Sequence, residues 1–153
     1  MANSQAICTS FKTELLTGQH VLKAINPARS LNTADTFKAA LYTTAATVNA
    51  ATTVYSATNE VTPVTGYTAG GTSVTWSAPA STGTTTYANL AANISWTVTG
   101  TLGPSFDAVL IYNSSQGNKA VSVHTFTAQT ITNGTLTLTI PANNSTSAMM
   151  RFA

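Results

Sequence analysis

The sequence predicts an all-β fold: a single-domain β-sandwich, jelly-roll-like, with a short N-terminal helix or arm. Three observations predict it. Apolar residues alternate with serine or threonine in several short runs, the period of a strand with one buried face. Gly, Pro and Asn separate those runs. The chain is 43% hydrophobic but only 7% charged, against roughly 25% charged in ordinary soluble domains. Such a chain has a core to bury and a surface of hydroxyls and amides. Its 153 residues fit one domain and can enclose a core without disulfide or metal. Residues 1–34 are expected to form an arm with the helix and a first strand. Residues 35–153 are expected to form the sandwich.

The elements follow in order. In "SFKTELLTG", residues 10–18, Phe11, Leu15 and Leu16 are expected on one helical face, and Gly18 can end the helix. "HVLKAI", residues 20–25, reads as a first strand, and "NPARSLNTAD", residues 26–35, as a loop. "TFKAALYT", residues 36–43, sets Phe37, Ala39 and Leu41 against Lys38, Ala40 and Tyr42, which predicts a strand with one large apolar face. Residues 45–61 are rich in Ala, Thr and Val. Their β-branched side chains disfavour a helix, so a loop with a short strand or one helical turn is expected. "VTGYTAGG", residues 64–71, is turn chemistry, with Gly70 and Gly71 free to take positive φ.

Strands recur from there. Residues 72–78 alternate Val74 and Trp76 with hydroxyls, and Pro79 with "STGTTT" breaks the run. Residues 93–100 alternate Ile94, Trp96 and Val98 with Ser95, Thr97 and Thr99. Gly103-Pro104 predicts a turn. "FDAVLIYN", residues 106–113, is apolar on both faces and is expected at the centre of a sheet. "SSQGN" predicts a hairpin turn into residues 119–128, and Asn133-Gly134 a further tight turn. Leu136, Leu138 and Ile140 alternate with threonines up to Pro141, and "AMMRFA" ends the chain as an edge strand. Strand edges are commonly protected by lysine or other charge. Almost none is present here, so burial of edges in an assembly is expected.

The charge distribution excludes several functions. Residues 1–38 hold Lys12, Lys23, Arg29 and Lys38 against Glu14 and Asp35; residues 39–118 hold only Glu60 and Asp107; residues 119–153 hold Lys119 and Arg151. No run of bases can neutralise several phosphates, so nucleic acid is not an expected partner. No apolar run approaches the ~20 residues that span a bilayer, and no secretory signal is visible at the N-terminus. Asn93, Asn113, Asn133, Asn143 and Asn144 each begin an N-x-Ser/Thr pattern. Without such a signal, glycosylation is not expected.

No pattern announces catalysis. Glu14, Asp35, Glu60 and Asp107 are widely spaced and read as solvated or turn carboxylates; Asp35 is expected to bond its own turn, and Glu60 to be exposed or to meet a neighbouring subunit's base. His20 and His124 stand in no metal-ligand spacing, and His124 is expected at a surface or interface. Cys8, the only cysteine, reads as a small buried hydrophobe. There is no G-x-S-x-G elbow and no phosphate loop. Trp76 and Trp96 are expected in the core, and Tyr67 and Tyr87, in loops, are the candidates for an exposed stacking contact. No catalytic, cofactor-binding or metal site is expected, and no cofactor.

Four stretches carry a resemblance: "DTFKAALYTTAATVNAATTVYSATNEVTPVTGYTAGG" at 35–71, "AVLIYNSSQGNKAVSVHTF" at 108–126, "LTLTIPANNSTSAMMRFA" at 136–153, and "SFKTELLTGQH" at 10–20. In these the chain resembles a family of small structural proteins of tailed-bacteriophage virions. The resemblance covers most of the chain. It implies a non-enzymatic virion component assembled in the host cytoplasm and working by shape in many copies. The implied role is a capsid decoration, or cement, protein, with the major capsid protein and its own copies, as a homotrimer, for partners. Two alternatives remain: a tail, baseplate or neck component, or a surface carbohydrate-binding module using Tyr67 or Tyr87. Residues 51–71 are then expected to be an ordered loop held by neighbouring subunits.

Overall fold

The computed structural model describes residues 2–23 and 33–153. It is all-β, with two antiparallel sheets and one short helix. The frame is a hairpin of two 20-residue strands, β6 (Ile94–Asn113) and β7 (Lys119–Leu138). They are joined through residues 114–118, where Gly117 and Asn118 take positive φ. Four shorter strands flank it or lie in the second sheet: β1 (Ala6–Ile7), β2 (Phe37–Thr43), β3 (Thr72–Val74) and β8 (Met150–Phe152). Strand β2 pairs with the second half of β6, β3 pairs with β2, and β1 pairs with β7. The five-stranded order is β1-β7-β6-β2-β3. A second sheet joins β4 (Ala80–Thr82), β5 (Thr85–Ala88) and β8, with β5 central. Trp76, Phe37, Leu41, Phe106, Leu110, Ile111 and Met150 are among the fully buried side chains that fill the core.

Alternation produces the first half of β6. Ile94, Trp96 and Val98 are buried, while Ser95, Thr97 and Thr99 are exposed. The second half, from Ala108 to Asn113, is buried on both faces because β6 is central. On the solvent face, hydroxyls pair across the ladder: Ser95 with Thr137 at 3.0 Å, Thr97 with Thr135 at 2.9 Å, Thr101 with Thr132 at 3.1 Å. These are cross-strand pairs of the kind that stabilise a sheet.

Two expected turns are instead irregularities inside strands. Gly103-Pro104, a cis peptide, lies within β6, and the register shifts between Leu102 and Phe106. A bulge leaves proline outside the ladder and lets pairing resume, which a regular central strand would not allow. Asn133-Gly134 lies within β7, opposite a second shift between Val98 and Thr101. Asn133 takes φ 48°, and its Oδ1 accepts the Gly100 N–H at 2.8 Å. The dipeptide bends the ladder and does not reverse it.

Other boundaries also move. The run 72–78 does break before Pro79, β3 ending at Val74, but "STGTTT" is itself a hairpin in which β4 and β5 pair and build the second sheet. Residues 20–23 are not a strand, and residues 24–32, which hold the rest of that expected strand and most of the following loop, lie outside the described residues. Strand β2 has no solvent face, since six of its seven residues are buried. The segment after it covers the side carrying Ala40 and Tyr42. The C-terminal "AMMRFA" does form an edge strand, β8.

Helix α1 (Thr9–Leu16) docks through Phe11, which is fully buried, with Leu15 packed at the margin. Leu16 is 90% exposed, contrary to the shared face expected for it. Five positions along a helix is about 140° round the axis from the first. The helix ends where Gly18 takes φ 74°. Cys8 is fully buried beside it, and β1 sits in the large sheet, so residues 6–11 are part of the sheet and core.

Glycines set how closely residues 64–71 can approach the sheet. A Cβ on Gly71 would lie 1.8 Å from the Ala39 carbonyl oxygen, and one on Gly66 would lie 1.9 Å from that of Thr97. Gly83 also has positive φ, but open space around it. Gly83→Ala should therefore cost about 1 kcal/mol. Gly71→Ala should cost more than about 3 kcal/mol, because backbone must move. Urea unfolding of the two variants measures the difference.

Candidate functional site

The four carboxylates, scattered in sequence, fasten loops and the N-terminal segment to the sheet. Glu60 is the centre of the segment from 51 to 71. Its carboxylate accepts the Tyr55 hydroxyl at 2.5 Å, the Tyr67 hydroxyl at 2.7 Å and the Gly70 N–H at 2.8 Å. Tyr67 in turn accepts the Leu41 N–H of β2 at 2.9 Å. Tyr112 of β6 donates to the Gly70 carbonyl at 2.7 Å and stacks on Tyr55 with ring centroids 4.6 Å apart. Tyr42 donates to the Ser56 carbonyl at 2.5 Å. Burial raises the pKa of each of Tyr42, Tyr55 and Tyr67, and the Glu60 charge adds to it, so these phenols remain donors.

This arrangement corrects three expectations. Glu60 is neither an exposed charge nor free for a neighbour's base. The segment from 51 to 71 is held by its own chain. Tyr67 is 1% exposed and Tyr87, on β5, 9%, so neither ring offers a face for stacking. Trp76 and Trp96 are buried, as expected. Cys8 is also buried. Burial, reinforced by the Glu14 charge, pushes its thiol up to about 11, which leaves it protonated and inert.

A second cluster ties the N-terminal segment to the hairpin turn. Glu14 accepts from Lys119 Nζ at 2.5 Å and from His20 Nε2 at 2.9 Å. His20 Nδ1 lies 2.9 Å from Asn113 Nδ2, which also donates to Asp35 at 2.8 Å. Ser115 N–H donates to Asn113 Oδ1 and so fixes the amide's orientation. His20 Nδ1 must then accept, and Nε2 carries the proton towards Glu14. Asp35 also accepts the Val21 N–H at 2.8 Å and the Gln116 amide at 3.1 Å. It bridges two segments, and among the described residues none of its bonds closes its own turn as expected. Asp107 accepts from the Asn3 amide. All four carboxylates are thus engaged within the chain.

Burial alone would raise the pKa of both Glu14 and Asp35. For Glu14, hydrogen bonds from Lys119 and His20 and the Lys119 charge outweigh it; for Asp35, bonds from Val21, Gln116, Asn113 and Ser115 do so. Both pKa values end below their ordinary range.

A groove of about 860 Å³ lies between β1, β7 and the C-terminal segment, lined by Ile7, Val109, Phe126, Leu138, Met149 and Arg151 among others. His124 lines it as well. Burial pushes its pKa down to about 4, so it is neutral at ordinary pH. Its Nε2 lies 3.0 Å from Ser122 Oγ, but Ser122 is fully buried and cannot meet a substrate. Among the described residues no cluster of three metal-ligating side chains occurs, and no helix is long and apolar enough to cross a membrane. Comparison with protein-family models, curated proteins and solved structures yields no match.

Tyr67→Phe leaves the Leu41 N–H without a partner and removes one of the two donors to Glu60 Oε1, and should cost about 1–3 kcal/mol. Urea unfolding checks it. The depressed carboxylates set a pH dependence. Their contribution is fully present above the ordinary values, 4.5 for Glu14 and 3.8 for Asp35, and is lost as pH falls through the lower folded-state values. Asp35→Asn should lower stability at neutral pH and make it fall less steeply below pH 4, as read from urea midpoints across pH.

Proposed function

We propose that this chain is a structural component of a tailed-bacteriophage virion: a decoration protein that binds the outside of the head shell and stabilises contacts between major capsid subunits. One observation carries the reading. Every carboxylate of the chain holds a loop or the arm to the sheet, so the acidic groups serve rigidity. What such a body offers a partner is shape, exposed hydroxyls and apolar area, and the resemblance to small virion proteins points the same way. Binding that buries area across a subunit boundary adds free energy to each intact boundary. Contacts made by hydroxyl and apolar groups depend weakly on salt.

In this reading the arm faces the capsid. Lys12 and Lys23 are exposed and free to meet an acidic shell. Deleting residues 1–18 would not test this, because β1 and Phe11 belong to the sheet and core.

The test is the number of copies per particle, by quantitative mass spectrometry of purified virions against the major capsid protein. A ratio of order unity is expected. A ratio in the hundredths would move the protein to the tail, baseplate or neck, and absence from virions would overturn the virion reading. Lys12→Glu combined with Lys23→Glu should weaken shell binding while leaving the urea midpoint unchanged, as read by co-sedimentation with capsids.

A further inference from the structure

The outer edge of β7 has far more chain than the structure uses. Strand β1 pairs with it only at Ser122 and Val123. From Thr125 to Leu138 the ladder has β6 on one side. Among the described residues no strand, isolated bridge or loop backbone bonds to the other side. The other outer strands, β1, β3, β4 and β8, are two or three residues long. Short edges protect themselves; a long one is a template for pairing.

None of the usual protections is present in chemical form. No Lys, Arg, Asp or Glu lies between Lys119 and Arg151, and β7 contains no proline. The bulge at Asn133 bends the far part of the edge. Within Thr125–Ile131 the register with β6 also shifts, β7 having two residues more than β6 between Thr125 and Gln129, but this irregularity brings neither charge nor proline to the edge. Beside that stretch lies the groove, and Phe126 lines it while packing edge-on against Phe106 at 6.0 Å.

We propose that Thr125–Ile131 is a strand-pairing interface whose occupant is the same edge of a second copy, running antiparallel. Two identical antiparallel edges are complementary in hydrogen bonding by construction, because each residue's donor and acceptor meet their counterparts across a two-fold axis. Self-pairing of a charged edge would set like charges opposite each other; this edge has none. Pairing of this kind keeps the groove-facing side chains of both copies on one face of the merged sheet. The two grooves then adjoin, and apolar surface is buried beside the new ladder. The inference is independent of the virion reading, because it concerns the purified chain alone.

The test is sedimentation of the full chain from about 1 to about 100 µM, with amide hydrogen exchange across the same range. A concentration-dependent dimer is expected, with exchange slowed at least about tenfold for amides within Thr125–Ile131. Thr127 and Ala128 are exposed, and Thr127→Lys and Ala128→Lys should each abolish association at an unchanged urea midpoint. Ser73→Lys, on the exposed surface of the opposite edge strand, should leave it intact. A monomer at the highest concentration would overturn the proposal. So would a dimer lost in Ser73→Lys but kept in Thr127→Lys, or one whose exchange protection falls outside Thr125–Ile131.

Discussion

The ladder between β6 and β7 is the interaction on which the rest depends. Each strand is 20 residues long, and most other elements are placed by pairing with one of them or packing on them. Strand β2 is buried because it lies beside the half of β6 that is apolar on both faces. Residues 6–16 are held because β1 pairs with the outer edge of β7 and Phe11 enters the core. The bulges let so long a hairpin bend, so that one half is central in the sheet and the other carries hydroxyl pairs towards solvent.

Charge is scarce, and each of the four carboxylates orders a segment. Phenol and amide donors converge on Glu60; a lysine and a histidine converge on Glu14. Hydrogen bonds to an ionised acceptor are stronger than neutral ones, so a few carboxylates can fix segments that have no regular structure. The result, among the described residues, is a body whose segment from 51 to 71 is tied down and whose exposed side chains include many hydroxyls. Such a surface suits shape-based, many-copy binding better than chemistry, which is why the structural role is the reading proposed here.

Part of this was legible in the residues. Alternation of Ile94, Trp96 and Val98 with hydroxyls, the doubly apolar run at 108–112, the hairpin at 114–118 and the helix end at Gly18 all follow from local chemistry, and each stands in the structure. The burial of Trp76, Trp96 and Cys8 follows too. The turn signals at Gly103-Pro104 and Asn133-Gly134 misled, because the same dipeptides serve a bulge when both flanking segments keep the same partner. Tyr67 looked like a loop residue open to solvent; its hydroxyl bonds both Glu60 and the Leu41 N–H.

The sequence by itself determined the class of the fold, the sites of most strands and the poverty of charge, because period, turn residues and composition are local properties. Only the tertiary structure decided that Glu60 would be wrapped by Tyr55, Tyr67 and Gly70. The same holds for Glu14 and Asp35, which join through His20 and Asn113 across sequence separations of up to 93 residues. Such meetings depend on which strands pair and in what register. Pairing is a property of the whole chain, and no stretch of residues contains it.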